Sequence, residues 1–260
     1  MSPEVEQGGP VAIVRGGNPT SRSRWSPATE SALFDRLAEA EADPGVRVIV
    51  LAGSTDDFCA GPEPDALSAD TARDPRGDQF PRSISKPVIA AVDGACHGIG
   101  LSLALMCDLR VVSSTTRISA GFASFGLVAE HGIAWLLQRI CGHGAAADLL
   151  LTDRRIDGRE AWRLGVAQYF TEETSALEHA VSLAEEMVRG LSPLSLAVIK
   201  RQLVHDSALE LDEAVARGEH LVQRVVGAGD FQRLVDAFSR GEHVECAALD
   251  PIVVQQVWAD

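Results

Sequence analysis

Residues 86–108 read KPVIAAVDGACHGIGLSLALMCD, and the order of residue types in this stretch decides the fold. Residues 88–92 are an apolar run with β-branched members, the composition of a strand buried on both faces. Asp93-Gly94 is a turn signal. Gly98-Ile99-Gly100 then opens residues 101–107, an apolar segment of helical length. A strand, a glycine loop and a helix in this order aim the helix's free N–H groups, and the positive end of its dipole, at one point. Such a point holds an anion or a developing oxyanion. On spacing alone the better reading is a tight βα connection whose glycines give clearance.

Outward from this unit, strands and helices alternate. Residues 11–14 and 46–51 read as buried strands, and 27–42 as an amphipathic helix through Ala28, Ala32, Leu33, Leu37 and Ala40. Residues 16–27 and 56–65 are loops. Residues 66–85 are polar, carry Pro75 and Pro81, and are expected to form a flap. Strands are predicted at 109–112, 117–119 and 166–170, and helices at 131–140, 145–151 and 158–164. From residue 175 the pattern is helical: 175–189, 193–206, 209–226 and 230–239. Alternation followed by helices predicts an α/β fold with parallel strands and crossover helices. We divide the chain into an α/β core, 1–192, and a C-terminal helical region, 193–260. The second part is too small for a core of its own and is expected to pack on the first and on neighbouring subunits.

The chain has 260 residues and a formal net charge of −14, with no basic stripe, which argues against a nucleic-acid partner. Aromatics make up only 5%, so the core must be aliphatic. The cysteines, Cys59, Cys96, Cys107, Cys141 and Cys246, are odd in number and lack C-x-x-C spacing. They read as free thiols of a reducing cytoplasm. The first ten residues are polar and acidic, unlike a signal peptide, and no apolar run reaches membrane-spanning length. Nothing in the pattern implies a metal or a redox cofactor.

The string 86–108 resembles the signature of the enoyl-CoA hydratase/isomerase (crotonase) family, and the resemblance spans residues 10–206. It implies a spiral of ββα units with a C-terminal helical region that builds trimers or dimers of trimers. It also implies an acyl-CoA thioester substrate, with coenzyme A part of the substrate and not a separate cofactor. Family members stabilise a thioester enolate with two backbone N–H groups. The first lies in an F-C-A-G-A-D loop, matched here by Phe58-Cys59-Ala60-Gly61, so that Ala60 takes the donor position. Pro62-Glu63-Pro64 then departs from the pattern. The second donor is the middle of G-x-G, here Ile99 between Gly98 and Gly100. Both segments are also compatible with ordinary loop turns.

Hydration across a conjugated double bond needs proton donation at one carbon and water activation at the other. The two glutamates that do this in the well-known hydratases are replaced here by Ser102 and Phe122, which are expected to touch the substrate. A third position keeps an acid. Residues 126–132, GLVAEHG, resemble the G-L-I-A-E-H-G form of one branch, and in several branches with isomerisation, ring-forming or hydrolytic chemistry an Asp or Glu at this spot is the catalytic carboxylate. The resemblance thus implies Glu130 as the single acid/base, for isomerisation or atypical hydration. Glu130 also stands where a helix starts, which suits an N-terminal cap. His131 and His97 read as packing or solvated neighbours. Ser21, Arg22 and Arg24 lie in the loop where relatives grip the nucleotide, and guanidinium forks suit its phosphates, although solvated arginines are equally compatible. The resemblance leaves two alternatives open: a non-catalytic acyl-thioester-binding homologue, or an acyl-CoA hydrolase or ring-chemistry member.

Overall fold

The computed structural model describes residues 5–7, 9–67, 74–228, 230–242, 244, 246 and 248–258. Its main sheet is built from β1 (Val5–Gln7), β2 (Val11–Gly16), β3 (Val48–Gly53), β4 (Val88–Val92), β6 (Leu109–Ser113) and β9 (Tyr169–Thr171), side by side in that order. β1 is antiparallel to β2, and every other pairing is parallel. A small second sheet joins β5 (Ala95–His97), β7 (Arg117–Ser119) and β8 (Ile156–Asp157).

The continuous apolar runs of β3 and β4 are explained by what covers them. Ile49, Leu51, Val88, Ala90 and Val92 face the cluster that holds Leu33, Phe34 and Leu37 of α1 (Pro27–Ala42). Their alternates Val48, Val50, Ala52, Ile89 and Ala91 face Ala176, Ala180 and Ala184 of a helix on the opposite side. With a side-chain period of two, both halves of each strand are buried. α1 starts cleanly because Ser26 and Thr29 form a reciprocal capping box and Pro27 fits the first turn.

α2 (Phe80–Ser83) and α3 (Ile99–Met106) flank β4 and β5 along the chain. The two helices expected at 131–140 and 145–151 are one helical run, α4 (Ile133–Thr152), broken at Gly142, which sits at φ 80°, ψ 163°. Only glycine takes that conformation cheaply. α5 (Gly158–Arg163) and α6 (Ala176–Gly190), the alanine-faced helix on the sheet, follow. α7 (Pro193–His205), α8 (Leu211–Gly227), α9 (Asp230–Arg240) and α10 (Pro251–Trp258) complete the chain. Residues of α7, α8 and α10 form a small separate apolar cluster around Val198, Leu221 and Val254. Lys200 ties α7 to the main sheet, donating to the Lys86 carbonyl at 3.0 Å and pairing with Asp108 at 2.7 Å.

The pattern reading missed β1, β5, β8 and α10, three of them strands of only two or three residues. The expected strand at 166–170 is shorter and begins at Tyr169. Of the expected flap, residues 68–73 lie outside the described part. The rest contains a short 3-10 turn ending at Leu67 and the one-turn α2.

Candidate active site

Two segments distant in sequence meet at the start of α3. Phe58-Cys59 runs beside β5: the Cys59 N–H donates to the Ala95 carbonyl at 2.8 Å, and the His97 N–H donates to the Cys59 carbonyl at 3.0 Å. The same register lays Cys59 against Gly100. A Cβ on Gly100 would stand 2.5 Å from the Cys59 Cβ, so the absence of a side chain there lets the arms touch. Gly98 caps α3 at φ 55°, ψ −115°, and its N–H donates to the Ser119 carbonyl at 3.2 Å. Ile99 and Gly100 occupy the first turn, where backbone N–H groups have no acceptor within the helix. Ile99, Ser102, Leu103 and Met106 line one cavity together with Trp25, Phe34, Asp78 and His131. These four share one face of α3, with the spacing i, i+3, i+4, i+7.

The loop arm sets the surroundings of one expected donor. The Ala60 N–H donates to the Arg22 carbonyl at 3.3 Å, a long contact. The reason is the turn at Arg22 and Ser23, both at positive φ (57° and 52°), which brings that carbonyl over the loop. Pro62 has no N–H to offer. Gly61 lies between them at φ +95°, borders open space, and its N–H has no hydrogen bond among the described residues. Its carbonyl accepts from the Trp25 N–H at 3.0 Å, which fixes the loop.

The residues expected around the nucleotide are partly committed. Arg24 Nη1 donates to the Pro62 carbonyl at 2.7 Å, and Ser21 Oγ lies 3.3 Å from Glu63 Oε1. The Arg22 side chain is 67% exposed and donates to Asp57 at 2.6 Å. Burial alone would raise the Asp57 carboxyl, but hydrogen bonds from Arg22 and the Ala95 N–H outweigh it and hold the group below its ordinary value. Ser102 is buried in the cavity wall, and its Oγ has no hydrogen-bond partner among the described residues. Phe122, expected to touch substrate, is instead buried in the main apolar core and absent from the lining of the Ile99 cavity. It precedes a 3-10 turn, and its carbonyl accepts from Phe125 and Leu127, which turns the chain toward Glu130.

Glu130 is 39% exposed. Its carboxylate stands 3.5 Å from His131 Nε2, while His131 Nδ1 meets Asp78 at 3.1 Å. The imidazole is thus held between two carboxylates and lines the cavity, whereas Glu130 is not among the residues that line it. His131 has φ 54°, a conformation that costs a non-glycine residue about 1–3 kcal/mol unless its surroundings hold it. Sequence reasoning did not single out Asp78, because nothing local links it to a residue 53 positions away.

It also missed Glu30. This α1 carboxylate is only 4% exposed, accepts from the Trp25 indole N–H at 3.2 Å, and leaves Oε1 without a partner among the described residues. Burial, then the field of Asp78, raises its pKa above the ordinary range. Helical spacing was the available signal, since Glu30 precedes the buried Leu33, Phe34 and Leu37 by three, four and seven positions. His97 is held below its ordinary pKa, first by burial and then by Arg155, and shares a 2.9 Å hydrogen bond with Ser119.

The chain matches the enoyl-CoA hydratase/isomerase family profile over residues 6–243. The protein belongs to the enoyl-CoA hydratase/isomerase family. Within the family it is 30% identical to the peroxisomal Delta(3,5)-Delta(2,4)-dienoyl-CoA isomerase of Arabidopsis thaliana, covering 69% of this chain and 72% of that protein. It is 27% identical to the 2,3-dehydroadipyl-CoA hydratase of Escherichia coli K12, covering 88% and 91%. Among solved folds of the family, the enoyl-CoA hydratase from Polaromonas sp. JS666 superposes with a TM-score of 0.82 at 28% identity, covering 92% of this chain and 97% of that one. The expected crotonase-type α/β fold with C-terminal helices is therefore the fold of this family member. Among the described residues no helix is long and apolar enough to cross a membrane.

Proposed function

We propose that this family member moves a proton on an enoyl-CoA thioester, with Glu130 as the acid/base and backbone N–H groups as the oxyanion site. The observation that carries the reading is the start of α3. Ile99 in its first turn lines an apolar cavity together with His131, and the Glu130 carboxylate stands 3.5 Å from His131 Nε2. The thioester oxygen would be met by the Ile99 N–H, with the Gly61 N–H taking the role first expected of Ala60. Charge that develops on that oxygen when a carbon-bound proton leaves is then stabilised in a site of low polarity, where each donor counts for several kcal/mol. Glu130 takes the proton from one carbon, and the electron pair moves to the oxygen. Returning the proton to a second carbon completes an isomerisation without any co-reactant. Arg22, the exposed cation of the loop, would meet the nucleotide phosphates of coenzyme A.

Hydration is disfavoured by the same geometry. Ser102, in a glutamate's usual place, is a weak base, and Phe122 is packed away in the core. Those losses equally favour the second reading, an acyl-thioester binder without turnover. A panel of 2-enoyl-, 3-enoyl- and dienoyl-CoAs separates the two. We expect isomerisation to exceed hydration, and Glu130→Gln to lower kcat at least a hundredfold while ester affinity stays within about threefold, because a general acid/base acts mainly in the transition state. Rapid crotonyl-CoA hydration that survives Glu130→Gln would refute both the reaction and the residue. Binding without any turnover would leave the second reading.

A further inference from the structure

The cavity at Ile99 has a neighbour at Met106. Asp78, Met106 and His131 also border a second, wider cleft, whose wall adds Arg76, Arg82 and Trp135. The two spaces share these three residues in their walls at the C-terminal end of α3. From Ile99 to Met106 the helix advances seven residues, about 10 Å. An acyl chain held by its thioester at Ile99 and laid along this face therefore reaches the outer cleft after about eight bonds, at the spacing of an extended chain.

The charges met there are unusual. Arg76 is saturated: it donates to both oxygens of Asp74 at 2.7 Å and pairs with Asp35 at 2.9 Å. Asp78 is held by His131. Arg82 is half-buried, and its guanidinium lies over the Trp135 ring at 5.1 Å, with no hydrogen bond or ion pair among the described residues. Arg139 lies over the same ring at 3.8 Å, also without a carboxylate partner among the described residues. Burial first, and then Arg139, pulls the Arg82 pKa down against the opposing field of Asp108, itself paired with Lys200. Two cations on one indole, one of them partly desolvated by the cleft wall, suit an anion. The planar fork of Arg82 carries five N–H donors and suits a carboxylate, which it can meet with two parallel bonds.

We propose that the outer cleft binds a carboxylate at the far end of the acyl group, so that the favoured substrates are CoA thioesters of medium-length dicarboxylic acids. Arg82 is the specificity-determining residue, and Trp135 holds its guanidinium in place with Arg139 adding to the field. The inference rests on the acyl-CoA reading above.

The test is calorimetric titration of the full-length protein with suberoyl-CoA, octanoyl-CoA and free CoA, using wild type, Arg82→Gln and Arg82→Lys. A charge-assisted bond to a partly desolvated arginine contributes about 1.5–3 kcal/mol, a factor of roughly ten or more. Arg82→Gln should weaken suberoyl-CoA at least tenfold and leave octanoyl-CoA within about twofold. Arg82→Lys, which keeps the charge and loses the fork, should fall between. Equal weakening of both esters and of free CoA would overturn the proposal and assign Arg82 to the nucleotide phosphates. A suberoyl-CoA affinity unmoved by Arg82→Gln would overturn it outright. Failure of every ester to bind wild type would instead remove the acyl-CoA reading itself.

Discussion

Gly100→Ala tests whether the contact between the two arms of the site is what organises it. Two effects oppose each other. Alanine stabilises a helix by about 0.8–1 kcal/mol over glycine, and Gly100 has no positive φ to forbid the change. Against this, the new methyl would stand 2.5 Å from the Cys59 Cβ and 3.1 Å from both the Cys59 carbonyl oxygen and Sγ. Carbon atoms pack at about 3.5–4.0 Å, so the arms must part by roughly 1 Å. Overpacking of this kind costs about 1–3 kcal/mol. The clash therefore wins or draws on stability, and the net loss should be about 0–2 kcal/mol. Activity is the sharper readout. A 1 Å displacement between Ile99 and the Gly61 loop should lower kcat by about a hundredfold. The assay pairs thermal unfolding with turnover of the best enoyl-CoA from the panel. Cys59→Gly removes the Cβ that is struck, so the Cys59→Gly/Gly100→Ala double variant should recover part of the loss, a coupling of about 0.5–3 kcal/mol. A Gly100→Ala protein with raised stability and unchanged kcat would show that the arms do not need their present separation.

Glu30 should make stability depend on pH. Its folded pKa lies above the ordinary 4.5, so its contribution is intact below that value and is lost as pH rises through the folded one. Glu30→Gln cannot ionise, and should therefore unfold a few degrees above wild type at pH 8, the gap closing toward pH 4; a gap that widens toward acid would contradict the assignment. Burial pushes the Cys59 thiol up to about 11 and the Cys107 thiol up to about 12, with Cys96 raised as well. These three should resist iodoacetamide at pH 8 in the native protein and react in denaturant, as followed by mass spectrometry; rapid native labelling of any of them would disprove it. Finally, we propose a homotrimer or dimer of trimers, because Leu203, Leu211, Val222 and Phe238 of α7, α8 and α9 are exposed apolar groups suited to a second copy of the chain. Light scattering at micromolar concentration should give a multiple of three subunits, and a stable monomer would refute it.

Local chemistry decided much of this protein before any contact was known. The run 88–92 had to be a buried strand because β-branched residues on both faces leave no side for water. Gly98 and Gly100 announced a glycine loop that opens a helix, and the GLVAEHG string marked Glu130 as the acid to examine. α1 was legible because its apolar spacing acts within a few positions, and Ser26 and Pro27 fix its start in the structure. What only the tertiary structure decided were partners. Ala60 carried the expected motif, and its N–H meets the Arg22 carbonyl, 38 residues earlier in the chain. Asp78 holds His131, Trp25 reaches Glu30, and Arg82 rests on Trp135 without a counter-ion among the described residues. A motif specifies which group a residue carries and roughly how its own turn is bent. Which donor remains unpaired, and which carboxylate loses its water, depends on segments brought together by packing, and periodicity carries no term for those distances.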